Sequence, residues 1–317
     1  MGDQFFLDPN TVDFMRDLTE VPYISKIELT TDCQLKCPGC PTGLLKPTGK
    51  SDMPLALLKK IVDNNWLRAT PYVELMMSGE ATLHKHFSEA IDIVKSSGVM
   101  VGVSTNLVDR HKIPALCKLD SITVSMDVFD EEGYELSRPP MKFDRLIENI
   151  KELVSVANEN TVIYLQLLRT PITEPYFDFS IEKARDFVCS LGKRNVVLRY
   201  VSDCFGEVMG RGEMILDNTQ CLTPSTAVVI KSTGTVNPCG YCFTGEEEGL
   251  ILGDINTDTL ENIWVGDIVK SLRLKHRLGQ NLPQRCMKCA GRNRNNHLFQ
   301  SSITVDILRH RSGITIK

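Results

Sequence analysis

The chain has 317 residues, of which 42% are apolar and 24% carry a charge, as in an ordinary globular protein with a large buried core. These values exclude a disordered chain, a collagen and a coiled coil. The sequence contains no run of 18 apolar residues, so we expect no membrane-spanning helix. Acidic residues interrupt the apolar stretches of residues 1–25, which predicts neither a signal peptide nor a transit peptide. The expected location is the cytoplasm.

The net charge and the cysteine content limit which partners and cofactors are expected. The formal net charge of −4 gives no global field that attracts nucleic acid or an anionic membrane, so we expect neither as a partner. The chain has 11 cysteines, an odd number, in a sequence with no predicted export signal. A reducing compartment disfavours a disulfide framework, so the clustered thiols indicate metal binding.

Six apolar runs rich in β-forming residues alternate with helical patterns along the first two thirds of the chain. The predicted strands are residues 26–31, 72–78, 99–105, 121–126, 162–168 and 196–201. The clearest helical pattern covers residues 143–154. There Phe143, Leu146 and Ile150 keep the spacing of one helix face. Strands that alternate with helices predict a parallel α/β sheet or barrel, whose chemistry takes place at the C-terminal ends of the strands.

The pattern changes in the last third of the chain. Residues 205–212 are rich in glycine and are typical of a linker. A hairpin-like stretch with a turn near Gly234 follows, and then a long helical pattern at residues 260–278. The sequence therefore predicts two domains, residues 1–210 and residues 211–317.

A first cluster of thiols lies just after the first predicted strand. Cys33, Cys37 and Cys40 form a C-x3-C-x2-C run. Three thiolates on one short loop can each bind one iron of a four-iron cluster and leave the fourth iron without a protein ligand, whereas electron-transfer clusters use four cysteines. An open iron can bind and activate a small molecule, as an open zinc position does. The alternative is a zinc knuckle, but zinc sites prefer C-x2-C pairs with two further ligands.

This motif resembles the signature of the radical S-adenosylmethionine (SAM) superfamily. In that family the motif follows the first strand of a partial (β/α)6 barrel, and the resemblance covers nearly the whole chain. One departure is Gly39, at a position that is usually aromatic. The resemblance implies an α/β fold built on a partial (β/α)6 barrel, with a [4Fe–4S] cluster and SAM as cofactors.

The resemblance also implies contacts to SAM at the ends of the predicted strands. Ser78, Gly79 and Glu80 stand where the family has a Gly-Gly-Glu segment that binds the SAM amino group, and Ser78 replaces the first glycine. The remaining implied cofactor contacts are Ser104, Asn106, Ser125, Asp127, Arg138 and Gln166. Arg169, at the end of the fifth predicted strand, is expected to face cofactor or substrate and is a candidate catalytic residue.

The family mechanism is implied for this chain as well. SAM binds the open iron through its amino and carboxyl groups, and an external one-electron reductant such as flavodoxin or ferredoxin supplies the electron that cleaves it. The 5′-deoxyadenosyl radical then abstracts a hydrogen atom from the substrate. The expected contribution of the protein is orientation of the reactants and exclusion of solvent.

A second cluster of thiols lies in the C-terminal third. Its members are Cys221, Cys239, Cys242, Cys286 and Cys289. The arrangement resembles the SPASM/Twitch auxiliary-cluster domains, and the lack of cysteine in residues 290–317 matches the small α+β Twitch form. The resemblance implies a second [4Fe–4S] cluster, whose ligands are Cys221, Cys239, Cys286 and Cys289, or Cys242 in place of one of them. Spacing alone leaves a four-thiolate zinc site open, because two C-x2-C pairs are present.

One further cysteine, Cys204, follows the sixth predicted strand at the catalytic end of the barrel. A thiol there could donate a hydrogen atom to a substrate radical, as an epimerase requires, and Cys204 is therefore a candidate catalytic residue. The other interpretation is a buried thiol at the joint between the two predicted domains.

Three classes of function remain. The preferred one is an enzyme that oxidises or epimerises a polar small molecule such as a sugar, an aminocyclitol or an aminoglycoside. The spacing from Cys221 to Cys239 is similar to that in the aminocyclitol dehydrogenases of butirosin biosynthesis. The alternative is a maturase that modifies a ribosomally made peptide or protein, since many such enzymes carry SPASM domains. A non-enzymatic electron-transfer or scaffold protein is disfavoured by the SAM-binding pattern at Glu80 and Asn106.

Overall fold

A computed structural model describes residues 21–40, 51–202, 221–242, 249–287 and 289 of the chain. In these ranges nine strands form one sheet, in the order β6-β5-β4-β3-β2-β1-β7-β8-β9. The strands are β1 (Tyr23–Ile27), β2 (Tyr72–Glu74), β3 (Met100–Thr105), β4 (Ser121–Asp127), β5 (Val162–Arg169), β6 (Val196–Ser202), β7 (Ala227–Ile230), β8 (Thr235–Asn237) and β9 (Gly253–Asp254). Strands β1 to β6 are parallel, and because β6 and β9 stand at opposite ends of the order, the described sheet is an open partial barrel.

Helices connect the parallel strands and cover the outside of the sheet. The α-helices of the described ranges are α1 (Leu55–Asp63), α2 (Phe87–Lys95), α3 (Ile113–Leu116), α4 (Glu131–Ser137), α5 (Phe143–Val156), α6 (Glu174–Ser190), α7 (Thr223–Thr226), α8 (Leu260–Val265), α9 (Asp267–Leu278) and α10 (Gln284–Met287). Short 3₁₀ turns occupy Ala81–Leu83 and Arg110–Lys112. None of the helices described in these ranges has the length and apolar character needed to cross a membrane.

Helix α5 shows why these segments fold onto the sheet. Its side chains Leu146, Ile150 and Leu153 recur at helical spacing, and each is fully buried. Burial of each such side chain stabilises the fold by about 1.5–3 kcal/mol. The helix begins after the extended Lys142 and ends at the extended Ala157, so the predicted helix is confirmed and is two residues longer than its sequence pattern.

The six predicted parallel strands are confirmed, with different ends. The largest differences are in β1, predicted at residues 26–31, and β2, predicted at residues 72–78. In both cases the chain leaves the sheet early but stays buried, as Leu29 and Leu75 show, so buried loops resemble strands in the sequence. The single helix predicted at residues 260–278 is two helices, because the backbone of Gly266 is extended.

The sheet continues past the predicted domain boundary. Strand β7 pairs in parallel with β1, from Tyr23 beside Ala227 to Ile27 beside Ile230. Strands β7 and β8 form the predicted hairpin, whose turn uses Gly234 at a φ of 95°. The boundary itself, near residue 210, lies outside the described residues, so the division into two domains stays a prediction.

The inner face of the sheet is identified by a contact across β3. The Tyr72 hydroxyl lies 2.9 Å from the Ser121 hydroxyl. A Cβ on Gly102, between them, would lie 2.1 and 2.3 Å from these two oxygens, so glycine lets the side chains meet. Tyr72 packs with Val162 and Tyr164 in a small cluster apart from the main core. This cluster fills the inner face near the N-terminal ends of the strands, and the inner face above it is polar.

Candidate active site

The C-x3-C-x2-C motif lies on the loop that follows β1, at the C-terminal edge of the parallel strands. Cys33, Cys37 and Cys40 are each half-buried. For two of them burial has the largest effect on the pKa: it raises the pKa of Cys33 and raises the pKa of Cys37 to about 11. The positive charge of Arg138 acts in the opposite direction on the pKa of both thiols. Arg138 therefore favours the thiolates that a metal would bind.

The donor set of this loop fits a four-iron cluster. Within the described ranges, no three His, Cys, Asp or Glu side chains converge closely enough to hold a single metal ion. In a four-iron cluster each thiolate binds a different iron, so its ligands surround a body larger than one ion. The charge of Cys40 affects the pKa of both Cys33 and Cys37, so the three thiols are neighbours. Three neighbouring, half-buried thiols beside a guanidinium are a suitable ligand set.

Residues 78–80, on the loop after β2, lie against the start of the cysteine loop. A Cβ on Gly79 would lie 2.5 Å from the carbonyl oxygens of both Thr30 and Asp32. The Glu80 amide donates a hydrogen bond to the Asp32 carbonyl at 2.7 Å. Glycine at this position therefore lets the chain approach the backbone that directly precedes Cys33.

The Glu80 carboxylate is buried and held by neighbouring donors. Its Oε1 accepts hydrogen bonds from the Thr82 and Thr105 hydroxyls at 2.7 and 2.8 Å, and its Oε2 accepts one from the Asn106 amide at 2.8 Å. Burial raises the pKa of Glu80, and these hydrogen bonds act against that rise. A carboxylate has about four acceptor positions, so Oε2 has capacity for a further donor.

Asn106 connects Glu80 to the cysteine loop. Its side-chain amide exchanges hydrogen bonds with that of Gln34, at 3.2 and 3.4 Å. The same Asn106 amide nitrogen lies 3.8 Å from the Cys33 sulfur. The loop after β1, the loop after β2 and the end of β3 therefore meet, as expected for parallel strands whose C-terminal ends share one edge.

Asp127 and Arg138 form a two-fold ion pair beside the same loop. The Arg138 Nε and Nη2 atoms donate to the two Asp127 carboxylate oxygens, each at 2.8 Å. Burial alone would lower the pKa of Arg138, but the charges of Asp127 and Cys37 raise it above its usual value. Asp127 has a φ of 62°, which is strained for a side chain other than glycine. Both residues predicted as SAM contacts thus pair with each other next to the cysteine loop.

A polar row lines the inner face above the Tyr72 cluster. Side chains at every second position of a strand share one face. Ser125 therefore lies on the inner face with Ser121, Gln166 with Tyr164, and Ser104 with Gly102. Ser125 and Gln166 are also register partners across β4 and β5. The Arg199 guanidinium lies 4.7 Å from the Tyr164 ring centre. The predicted residues Ser104, Ser125 and Gln166 therefore face one chamber, each half-buried.

The structure places Arg169 apart from these residues. It forms ion pairs with Glu174, at 3.1 Å, and with Asp178, and it lies 4.6 Å from the Phe177 ring centre. All three partners belong to α6, so the Arg169 side chain packs against the first turns of that helix. Cys204, the other candidate catalytic residue, lies outside the described residues.

In the second group of thiols, the structure shows one close pair. The sulfurs of Cys239 and Cys242 are 3.8 Å apart. This contact is the largest influence on Cys239 and lowers its pKa, and the charge of Arg285 acts in the same direction. Arg285 belongs to the short helix α10 with Cys286, so the two C-x2-C segments are neighbours. Cys221 precedes α7 and is half-buried.

Three polar residues that form hydrogen bonds with the predicted site residues were not predicted from the sequence. Thr82, Thr105 and Gln34 complete the hydrogen bonds around Glu80 and Asn106. Each stands within two residues of a predicted site residue, on a loop or at a strand end. Their closeness in sequence to predicted site residues could have indicated them. The hydrogen-bond partner of each side chain, however, depends on the three-dimensional arrangement of the strands.

Comparison with protein families agrees with this geometry. The model described as "Radical SAM superfamily" matches residues 27–170, and the SPASM model, described as "Iron-sulfur cluster-binding domain", matches residues 221–290. The chain therefore has a radical SAM domain followed by a C-terminal SPASM domain. Its cofactors are [4Fe–4S] clusters and SAM, and radical SAM enzymes act on a substrate with an external reductant.

Solved structures show the same fold. BtrN, solved in complex with AdoMet and 2-DOIA, is similar over 85% of this chain and 93% of its own, with a TM-score of 0.51 and 17% identity. SuiB from Streptococcus suis, bound to SAM, is similar over 86% of this chain and 71% of its own, with a TM-score of 0.61 and 16% identity. AnSMEcpe with bound AdoMet is similar over 85% and 87%, with a TM-score of 0.58 and 18% identity. A sequence search of curated proteins gave no match.

Proposed function

We propose that this protein uses a radical derived from SAM to abstract a hydrogen atom from a polar small molecule, which it then oxidises or epimerises. The observation that carries the proposal is the inner face of the barrel. Half-buried Ser104, Ser125, Gln166 and Arg199 point into one chamber. Hydroxyl, amide and guanidinium groups suit a ligand rich in hydroxyl and amino groups, such as a sugar, an aminocyclitol or an aminoglycoside.

The cofactor-binding roles follow from the contacts around the cysteine loop. Cys33, Cys37 and Cys40 would hold the cluster, and a bound SAM would supply the radical chemistry. Glu80 lies at the same edge of the sheet, and its Oε2 would accept a hydrogen bond from the SAM amino group. Asn106, fixed by Gln34, would orient the other polar groups of SAM beside Cys33.

The remaining polar residues hold the reactants and exclude water. The Tyr72 cluster closes the inner face beneath the polar row, so a substrate would be held above it and close to the cysteine loop. Asp127 keeps Arg138 beside Cys37, where its positive charge favours the ligand thiolates. A polar and preorganised site that limits access of water is the contribution that a protein makes to such chemistry.

The C-terminal cysteines would hold a second [4Fe–4S] cluster. The proposed ligands are Cys221, Cys239, Cys286 and Cys289, with Cys242 as the alternative to one of them. A cluster with four cysteine ligands has no open iron and suits electron transfer. Oxidation of an alcohol-type substrate radical releases one electron and one proton, so a dehydrogenase needs such an acceptor. An epimerase needs a hydrogen donor instead, for which Cys204 is the candidate.

The test is a comparison of substrate classes with the anaerobically reconstituted enzyme, SAM and dithionite. Release of 5′-deoxyadenosine should rise above its background with aminocyclitols or amino sugars. An oxidised product is lighter by two hydrogen atoms. An epimerised product keeps its mass in H2O and gains one deuterium in D2O, and this gain should disappear with Cys204→Ala. A rise with peptides alone would favour the maturase alternative and overturn the proposal.

A pair of variants on β6 and β5 provides the control. Gln166→Ala removes an inner-face amide and should raise the substrate KM while SAM cleavage in the absence of substrate is unchanged. Tyr200 is 45% exposed and faces away from the chamber. Tyr200→Ala should leave the KM at the wild-type value. Equal behaviour of the two variants would remove the chamber from the substrate site.

A further inference from the structure

A fully buried carboxylate lies where three parts of the fold meet. Glu28 directly follows β1 and has no exposed surface. Its Oε1 accepts hydrogen bonds from the Ser78 amide at 3.2 Å and from the Lys231 Nζ at 3.1 Å. Its Oε2 accepts from the Ser232 amide at 3.2 Å and from the Ser232 hydroxyl at 3.0 Å. Glu28 therefore joins the end of β1, the loop after β2 and the turn after β7.

Lys231 closes this group of side chains, which we call the Glu28 cluster (Glu28, Ser78, Lys231 and Ser232). Its Nζ donates to Glu28 and also to the Ser78 hydroxyl, at 3.3 Å. Lys231 is 8% exposed and Ser78 is 6% exposed. A buried ion pair contributes little net stability, because desolvation offsets its attraction, and in some proteins it fixes one geometry instead.

The position of Ser78 connects the Glu28 cluster to the candidate SAM site. Ser78 is followed directly by Gly79, which touches the backbone before Cys33, and by Glu80, which holds Asn106. A glycine at residue 78 would have no hydroxyl to accept the bond from Lys231. Through the Ser78 hydroxyl, Lys231 of the C-terminal part of the chain therefore binds the loop that carries Glu80.

A second side-chain contact between these parts of the chain lies at a different place. Glu261, at the start of α8, accepts hydrogen bonds from Trp66, at 2.9 Å, and from Arg68, at 3.1 Å. Neither donor belongs to the loop after β2. Of these two described contacts, the Glu28 cluster is therefore the one that reaches the proposed SAM site, and the Glu261 contact is a matched comparison.

We infer that Lys231 is a positioning residue for SAM. It binds Ser78 both directly and through Glu28, so that the SPASM domain sets the position of the Glu80 loop and thereby the affinity for SAM. This inference rests on the proposed role of Glu80 as a SAM contact. It predicts that SAM binding depends on Lys231 of the β7–β8 turn, through its contacts with Glu28 and Ser78.

The experiment uses the full-length, reconstituted enzyme and the double variant Glu28→Gln/Lys231→Met, which removes both charges and leaves no buried carboxylate unpaired. The SAM Kd should rise by about tenfold, a usual size for coupling between two sites. The EPR spectrum of the reduced enzyme should shift less on addition of SAM. Iron content should equal that of the wild type. Ser78→Ala should weaken SAM binding in the same direction and to a smaller extent.

The control is Glu261→Ala, which removes the acceptor of the Trp66 and Arg68 hydrogen bonds and should leave the SAM Kd and the EPR shift unchanged. A double variant that loses thermal stability but keeps the wild-type Kd and EPR shift would make the Glu28 cluster structural and overturn the inference. If the double variant does not fold, the Ser78→Ala variant provides the test. A wild-type SAM Kd in Ser78→Ala would overturn the inference. Glu80→Ala separates the two proposals, because unchanged SAM affinity in that variant removes Glu80 from the SAM site.

Discussion

The two cysteine regions of this protein are built in different ways. Cys33, Cys37 and Cys40 share one loop, and the ends of β1 to β4 surround it with contacts from Gly79, Glu80, Asn106 and Arg138. The C-terminal cysteines come from segments up to 68 positions apart along the chain, from Cys221 to Cys289. The topology of a parallel sheet brings the first group together automatically, whereas the second depends on the docking of separate segments. Variants of the two regions should therefore fail in different ways.

The largest expected effect is on the C-terminal region. Cys239→Ala should lower the iron content by about four atoms per chain, because a ligand of one four-iron cluster is lost. Cys242→Ala should keep the iron if the proposed ligand set is right. Cys117→Ala, a half-buried thiol away from both groups, is the control. Iron and sulfide analysis measures the result, and loss of iron from Cys242→Ala but not from Cys239→Ala would exchange their roles.

The next effect concerns the ion pair beside the first region. Asp127→Ala leaves the half-buried Arg138 without the carboxylate that pairs with it and should lower the free energy of unfolding by about 3 kcal/mol. Glu174→Ala breaks a far more exposed pair with Arg169 and should lower it by less than about 1 kcal/mol. Denaturant unfolding of both variants provides the comparison. The structure indicates that the Asp127–Arg138 pair is shielded from solvent. Equal losses of stability in the two variants would contradict this.

A smaller loss is expected where two backbone segments touch. Gly79→Ala places a methyl group against the Thr30 and Asp32 carbonyls and should destabilise the fold by about 1–3 kcal/mol. It should also weaken SAM binding, because the Glu80 loop must move. Gly98→Ala meets no atom within 4 Å but has a φ of 82°, so it should cost about 1–2 kcal/mol and leave SAM affinity intact. A Gly79→Ala variant with wild-type SAM affinity would contradict the tight contact.

The smallest effect is expected at Arg169. Its partners belong to α6, so Arg169→Ala should leave the SAM cleavage rate unchanged and lower stability by less than about 1 kcal/mol. The rate of 5′-deoxyadenosine formation is the measurement. Loss of SAM cleavage with normal iron content would restore the catalytic role that the sequence pattern predicts for Arg169.

Much of the first region follows from local sequence. Apolar runs place the six parallel strands, and the polar residues just beyond them, such as Asn106 and Asp127, are then expected at one edge. The pairing of β7 with β1 could not be predicted in this way, since strand partners distant in sequence leave no periodic signal. The Glu28–Lys231 pair was missed for the same reason: each is a charged residue beside an apolar strand, and burial becomes evident when the two strands are adjacent.

Anaerobic reconstitution followed by iron analysis tests the account most directly. Wild-type protein should bind about eight irons per chain, and a Cys33/Cys37/Cys40→Ala variant about four, with no SAM cleavage in the variant. That result would establish one cluster for SAM and one auxiliary cluster. About four irons in the wild type and none in the variant, with zinc bound, would make the C-terminal site a zinc site. The proposed dehydrogenase would then lose its electron acceptor.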